Sequence, residues 1–139
     1  MARTKKGKKD PNILTKFTIT DVVLKKLSAE LINPSPDFDK IESVIGWSFD
    51  IEEHKENAIT LNAIFNVSHE PEDYFNIEAE YSVVLHCDEP IFTLETINLN
   101  SEYFLTPVGH INSMLLGPIC DKMLGYPVIF SPRIHLSDD

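Results

Sequence analysis

Two runs of strict apolar–polar alternation in the middle of the chain limit its fold more than any other feature. Ile59, Leu61, Ala63, Phe65 and Val67 share one face, opposed by Thr60, Asn62, Asn66 and Ser68. After Glu70-Pro71-Glu72-Asp73, the residues Phe75, Ile77, Ala79, Tyr81, Val83 and Leu85 alternate with Asn76, Glu78, Glu80 and Ser82. Period two is the signature of a half-buried strand, and a short charged connection makes the two strands antiparallel neighbours. A third run precedes them. Ile45, Trp47, Phe49 and Ile51 form an aromatic-rich inner face, with Val44, Gly46, Ser48 and Asp50 between them, and Glu52-Glu53-His54-Lys55-Glu56-Asn57 makes the connection. Nothing in this stretch has the pattern of a parallel βαβ unit.

Upstream, the alternation of Phe17 and Ile19 changes phase at Val22 and Leu24, and again at Leu27, Ala29 and Leu31. One extra residue swaps the faces of a strand, so each change predicts a bulge, and the segment reads as one long bent strand over about residues 16–32. Asn33-Pro34-Ser35-Pro36-Asp37 ends it in an extended connection that carries Phe38 and Ile41. The last third reads as helical. Thr106-Pro107 resembles an N-cap followed by proline in the first turn, Ile111, Met114, Leu115, Ile119 and Met123 form a stripe, and Gly125 is a stop. Pro118 inside this stretch predicts a kink or break. The expected fold class is α+β, a four-stranded antiparallel sheet with C-terminal helices packed on one face.

The 139 residues fit one domain, expected over 13–139, behind a disordered tail at 1–12. The net charge is −10, and five of the twelve basic residues (Arg3, Lys5, Lys6, Lys8 and Lys9) lie in the first nine. From Asp10 onward seven basic residues face 22 acidic ones. Such a body offers no positive face for phosphates, which argues against a nucleic-acid partner. Its 42% hydrophobic content suits a packed core. No apolar run approaches the roughly 20 residues of a membrane span, so no membrane insertion is expected. Cys87 and Cys120 without CxxC spacing behind a start lacking an apolar leader predict reduced thiols and a cytoplasmic location.

The search for reactive groups returns little. The five glycines are scattered at 7, 46, 109, 117 and 125, so no phosphate-cradling loop forms, and HExxH, CxxC and GxSxG motifs are absent. His86 and Cys87 are neighbours on a strand and point to opposite faces, so they make a poor metal pair. His110 and Cys120 lie ten residues apart on the expected helix, roughly 15 Å at 1.5 Å per residue, too far for a nucleophile and its base. Glu78 and Glu80 share a strand face but read as a solvated surface rather than a catalytic pair. No catalytic residue, metal or cofactor is therefore expected. What remains is an excess of grouped aromatics. Trp47 and Phe49 share a strand face, while Phe38, Tyr126 and Phe130 stand in proline-marked loops, where ligand-contacting side chains concentrate. Each taken singly is more often core than site.

In this order of segments the chain resembles the SecB family of export chaperones. The resemblance rests on Phe17-Thr18-Ile19-Thr20 running through Leu27-Ser28 to Glu30, on the Asn33-Pro34-Ser35-Pro36 crossover with Phe38, and on the two long strands that follow. Gly125-Tyr126-Pro127 is similar to the family's Gly-Phe-Pro turn, and Phe130-Ser131-Pro132-Arg133-Ile134-His135-Leu136 to its closing segment. The likeness covers roughly residues 17–136. The family's Cys-Pro and Tyr-Ala-Arg before and at the helix start are replaced by Pro107-Val108-Gly109-His110. The resemblance implies a homotetramer, a dimer of dimers, that holds unfolded preproteins in apolar grooves without ATP. It implies a groove lined by Phe38, Ile45, Trp47, Phe49, Tyr126 and Phe130. It also implies an acidic face of Glu30, Glu78 and Glu80 that docks the SecA motor, where Lys26 is an intruding charge. SecB-like proteins also protect antitoxins, which gives an alternative partner. A small ligand-binding domain or enzyme that uses the aromatic face as a pocket is the alternative from another class.

Overall fold

The computed structural model describes residues 17–55, 57–87, 95, 99–126 and 128–132. The expected tail at 1–12, Asp88, Pro127 and the closing residues 133–136 lie outside the described residues. Strands β1 (Phe17–Leu31), β2 (Glu42–His54), β3 (Ala58–Glu70) and β4 (Phe75–Cys87) are followed by helix α1 (Ser101–Leu124). The four strands make one antiparallel sheet in the order β1-β4-β3-β2, so β2 to β4 form a meander and β1 returns beside β4. Fold class α+β therefore holds, with one described helix where helices were expected.

The central pair carries the core. Leu61 faces Val83, Ala63 faces Tyr81, Phe65 faces Ala79 and Val67 faces Ile77, and all eight are buried. On the outer strands, Trp47 lies opposite Phe65 and Leu24 opposite Tyr81. The register of β1 slips between Ile19 and Asp21 and again between Leu24 and Lys26, the two places where the apolar phase of the sequence changes. Thr20 and Lys25 are the extra residues, and each restores the inward aim of the apolar residues after it.

Helix α1 departs from the expected boundaries. It begins at Ser101 with Asn100 as its cap, so Pro107 lies inside it, and the Thr106 hydroxyl donates to the Glu102 carbonyl at 2.8 Å instead of capping. The helix runs without interruption through both Pro107 and Pro118. Its buried side consists of Phe104, Leu105, Val108, Asn112, Leu116 and Cys120, spaced mainly by four. The expected stripe is turned outward at Ile111 and Met114, the latter 79% exposed, and half-buried at Leu115, Ile119 and Met123. The continuous buried ridge offsets the N–H groups lost at the prolines, and Pro118 itself faces outward. The Tyr81 hydroxyl donates to Asn112 Oδ1 at 2.6 Å and ties the helix to the sheet. Gly125 ends the helix with φ at 84°, as expected, its N–H bonded to the Asp121 carbonyl. No described helix is long and apolar enough to cross a membrane.

Candidate functional site

Topology creates the site. Leu31 leaves the sheet opposite Phe75, and Glu42 re-enters it opposite Glu70, so the connection 32–41 crosses the end of the sheet past the β3–β4 turn. The crossing is stitched down. The N–H groups of Ile32 and Asn33 both donate to the Tyr74 carbonyl, at 2.9 and 3.1 Å. Asn33 Nδ2 and the Asp37 N–H both reach Glu72 Oε1. Asn33 and Asp37 close local turns on the N–H groups of Ser35 and Asp39, and Pro36 is buried. This frame leaves Phe38 57% exposed, its ring edge-on to Tyr74 with centroids 5.1 Å apart.

The opposite wall comes from the segment after α1. The αL turn at Gly125 sends the chain back along the helix, and Ser113 Oγ donates to the Phe130 carbonyl at 2.8 Å. The return passes Gly117 at the Val128 carbonyl, where an added Cβ would make only ordinary contact at 4.0 Å. Phe130 is buried against Phe65 at 5.4 Å, whereas Ile129 points into solvent. The Tyr126 and Tyr74 hydroxyls lie 2.9 Å apart and join this wall to the crossover side. Burial, then the Tyr126 hydroxyl, push Tyr74 up to about 12.

Between the walls opens a cavity of about 550 Å³. Its floor is Trp47, Phe65, Val67 and Phe75, and its rim includes Phe38, Ile45 and Tyr126. Among the described residues, not one Asp, Glu, Lys or Arg lines it. Trp47 packs on Phe65 at 5.0 Å and is buried, whereas Ile45, the next inward position toward the crossover, is 53% exposed. Such a space suits a neutral apolar or aromatic group. Five of the six residues expected to line a groove, Phe38, Ile45, Trp47, Tyr126 and Phe130, border this cavity. Phe49 does not. It pairs with Ala63, farther from the crossover, and is half-buried against the core. His69 and Tyr74 border the cavity and are absent from the sequence expectation. His69 continues the inward phase of Ile59 to Val67 by one more step, and that was the signal that could have found it.

The polar side of the sheet holds the acidic residues. Pairing of Lys26 with Glu80, Ser28 with Glu78 and Glu30 with Asn76 puts Glu30, Glu78 and Glu80 on one face. Lys25, the extra residue of the second β1 bulge, is the cation that reaches furthest across it. Its Nζ lies 3.6 Å from Glu80 Oε2, 3.2 Å from Asn62 Oδ1 and 3.3 Å from Glu52 Oε2. Glu52 is itself the extra residue of a β2 bulge, so the contact runs from one sheet edge to the other. Elsewhere, His86 is exposed while Cys87 is buried, as their opposite facing requires, and burial pushes the Cys120 thiol up.

No family model matches the sequence, and no curated protein matches it. Among solved structures, the SecB-like chaperone Rv1957 of Mycobacterium tuberculosis, in complex with a ChAD peptide from the HigA1 antitoxin, superposes with a TM-score of 0.68. It does so at 9% identity over 86% of this chain and 93% of that one, so the likeness is one of fold. A Streptococcus agalactiae protein of unknown function aligns over 83% of this chain and 96% of its own, at 14% identity and a TM-score of 0.49, too loose to carry weight.

Proposed function

We propose that this chain is a cytoplasmic chaperone that works without nucleotide and holds unfolded polypeptide segments in the cavity beneath the crossover. The observation that carries this reading is an open aromatic wall with no charged side chain among the described residues, in a chain of net charge −10. Apolar contact is non-directional and contributes about 25 cal/mol per Å² buried, so the wall favours any extended apolar segment that folded proteins hide. The acidic exterior keeps a body with apolar patches dispersed. Val23, Leu24, Leu27 and Leu31 stand exposed along the edge strand β1, which supports assembly of the 13–139 unit into a homotetramer, a dimer of dimers. The antitoxin peptide carried by the Mycobacterium tuberculosis neighbour supports an antitoxin segment as the client, and unfolded preproteins share the same chemistry.

The test is a reporter protein diluted from denaturant. The purified chain keeps it from aggregating in the absence of ATP. Ile45→Asp, at an exposed position, keeps the fold, places a carboxylate at the cavity rim and abolishes holding. Aggregation undiminished by the unaltered chain, or holding unchanged by Ile45→Asp, overturns the reading. A small molecule that co-purifies in the cavity, with no effect on aggregation, favours a ligand-binding domain instead.

A second reading adds docking of SecA on Glu30, Glu78 and Glu80. Their common face favours it, while Lys25 on Glu80 and Lys26 opposite Glu80 oppose it. Lys26→Asp then tightens SecA binding, and the gain shrinks in high salt because exposed charges are screened within about 8 Å at physiological ionic strength. No binding before or after the change leaves the antitoxin role.

A further inference from the structure

The cavity has an apolar wall, but one ring in it is not apolar. His69 stands at the end of β3, 7% exposed, with Phe75 at 4.6 Å and Tyr74 at 5.7 Å between ring centroids. Its Nδ1 lies 3.0 Å from the Phe75 carbonyl oxygen. A carbonyl oxygen only accepts, so Nδ1 carries the hydrogen, and in the neutral ring Nε2 is left as a bare acceptor. Nε2 meets no hydrogen-bond partner among the described residues. It is not sealed either, since every fully buried polar side-chain atom among those residues has a partner. The open space that the ring borders is the cavity. The two tyrosine hydroxyls nearby are engaged with each other.

From this we infer that His69 determines specificity. Its Nε2 accepts a hydrogen bond from a bound segment, so the cavity prefers a neutral aromatic side chain with a donor at its tip, tyrosine or tryptophan, over phenylalanine or an aliphatic residue. This deepens the chaperone reading and rests on it. The apolar wall takes the body of the ring and is indifferent to sequence. The imidazole takes the tip, and a client that lacks a donor there leaves Nε2 stripped of water without a partner. No charged side chain lines the wall among the described residues, so this acceptor adds discrimination among segments of equal hydrophobicity.

The experiment uses the full chain and two blocked peptides, acetyl-Ser-Gly-Val-Tyr-Val-Gly-Ser-amide and the same peptide with Phe for Tyr. Binding is followed by NMR titration. The Tyr peptide binds about five- to tenfold more tightly than the Phe peptide, the range of one hydrogen bond. His69→Asn keeps a donor toward the Phe75 carbonyl and takes away Nε2, its own amide oxygen falling short of the ring tip. It abolishes the preference, so that the two peptides bind alike. In the unaltered chain the ¹⁵N resonance of His69 Nε2 shifts upfield on adding the Tyr peptide and stays in place with the Phe peptide, a readout that needs no variant. Equal binding of the two peptides, or an Nε2 resonance unmoved by the Tyr peptide at saturation, overturns the inference while the chaperone reading stands. Failure of both peptides to bind, together with failure to hold the reporter, overturns both.

Discussion

Within the cavity, residues that look alike in sequence have different duties. Phe65 and Phe130 are buried and pack on each other, whereas Phe38 rests on Tyr74 with more than half its surface in water. Phe65→Ala is expected to lower unfolding stability by about 3–5 kcal/mol, and Phe38→Ala by less than about 1 kcal/mol while weakening reporter holding. Denaturant titrations of both variants beside the aggregation assay check this, and a large stability loss for Phe38→Ala with holding intact would sink its place on the rim. Tyr81 gives a pH signature. Burial pushes it up from 10.0 to about 12 in the folded chain. A raised value means that its contribution is complete below pH 10 and is lost as pH climbs toward 12. Stability should fall over that window, and fall less in Tyr81→Phe. Phe38 and Tyr126 stand exposed in their proline-marked loops, as loop residues usually do, whereas Phe130 is buried. His69 continues the inward phase of Ile59 to Val67, but a polar residue at the last inward step of β3 carries no hydrophobic signal. Phe49 lies away from this cavity because sharing a face with Trp47 says nothing about distance along the strand from the crossover.

Elements were legible where local chemistry and packing agree. The bulges of β1 could be read from the sequence to within two residues, since a phase change has one cheap structural solution. The start of α1 could not. Thr106-Pro107 has the form of an N-terminus, but six core-facing positions from Phe104 to Cys120 outweigh that local preference and carry the helix through. The same conflict predicts an engineering gain. Pro118 faces solvent in a helix interior, where proline is about 3 kcal/mol less favourable than alanine, so Pro118→Ala should stabilise the chain by up to that amount. Gly125→Ala should cost about 1–2 kcal/mol from backbone strain alone, since no atom lies within 4 Å of the added Cβ. Thermal melts read both, and a destabilised Pro118→Ala would mean that the proline shapes the helix.

For the whole molecule, the placement of β1 beside β4 forces the connection 32–41 across the sheet end, and the cavity follows from that one topological choice. Four antiparallel strands were expected, but not their order, because alternation specifies which face a residue takes and is silent on which neighbour a strand chooses. The choice leaves β1 as an edge with leucines in water, a hazardous thing to carry at high concentration. Its two extra residues bear on that hazard. Without Thr20 and Lys25, the apolar positions from Phe17 to Leu31 would fall into one unbroken alternation, and the edge would straighten into a template for endless strand addition. The deletion of both should therefore yield a chain that polymerises into thioflavin-positive fibres where the unaltered chain stays as discrete particles. Two residues that add no apolar contact of their own thus act as a stop codon for assembly, written in backbone geometry.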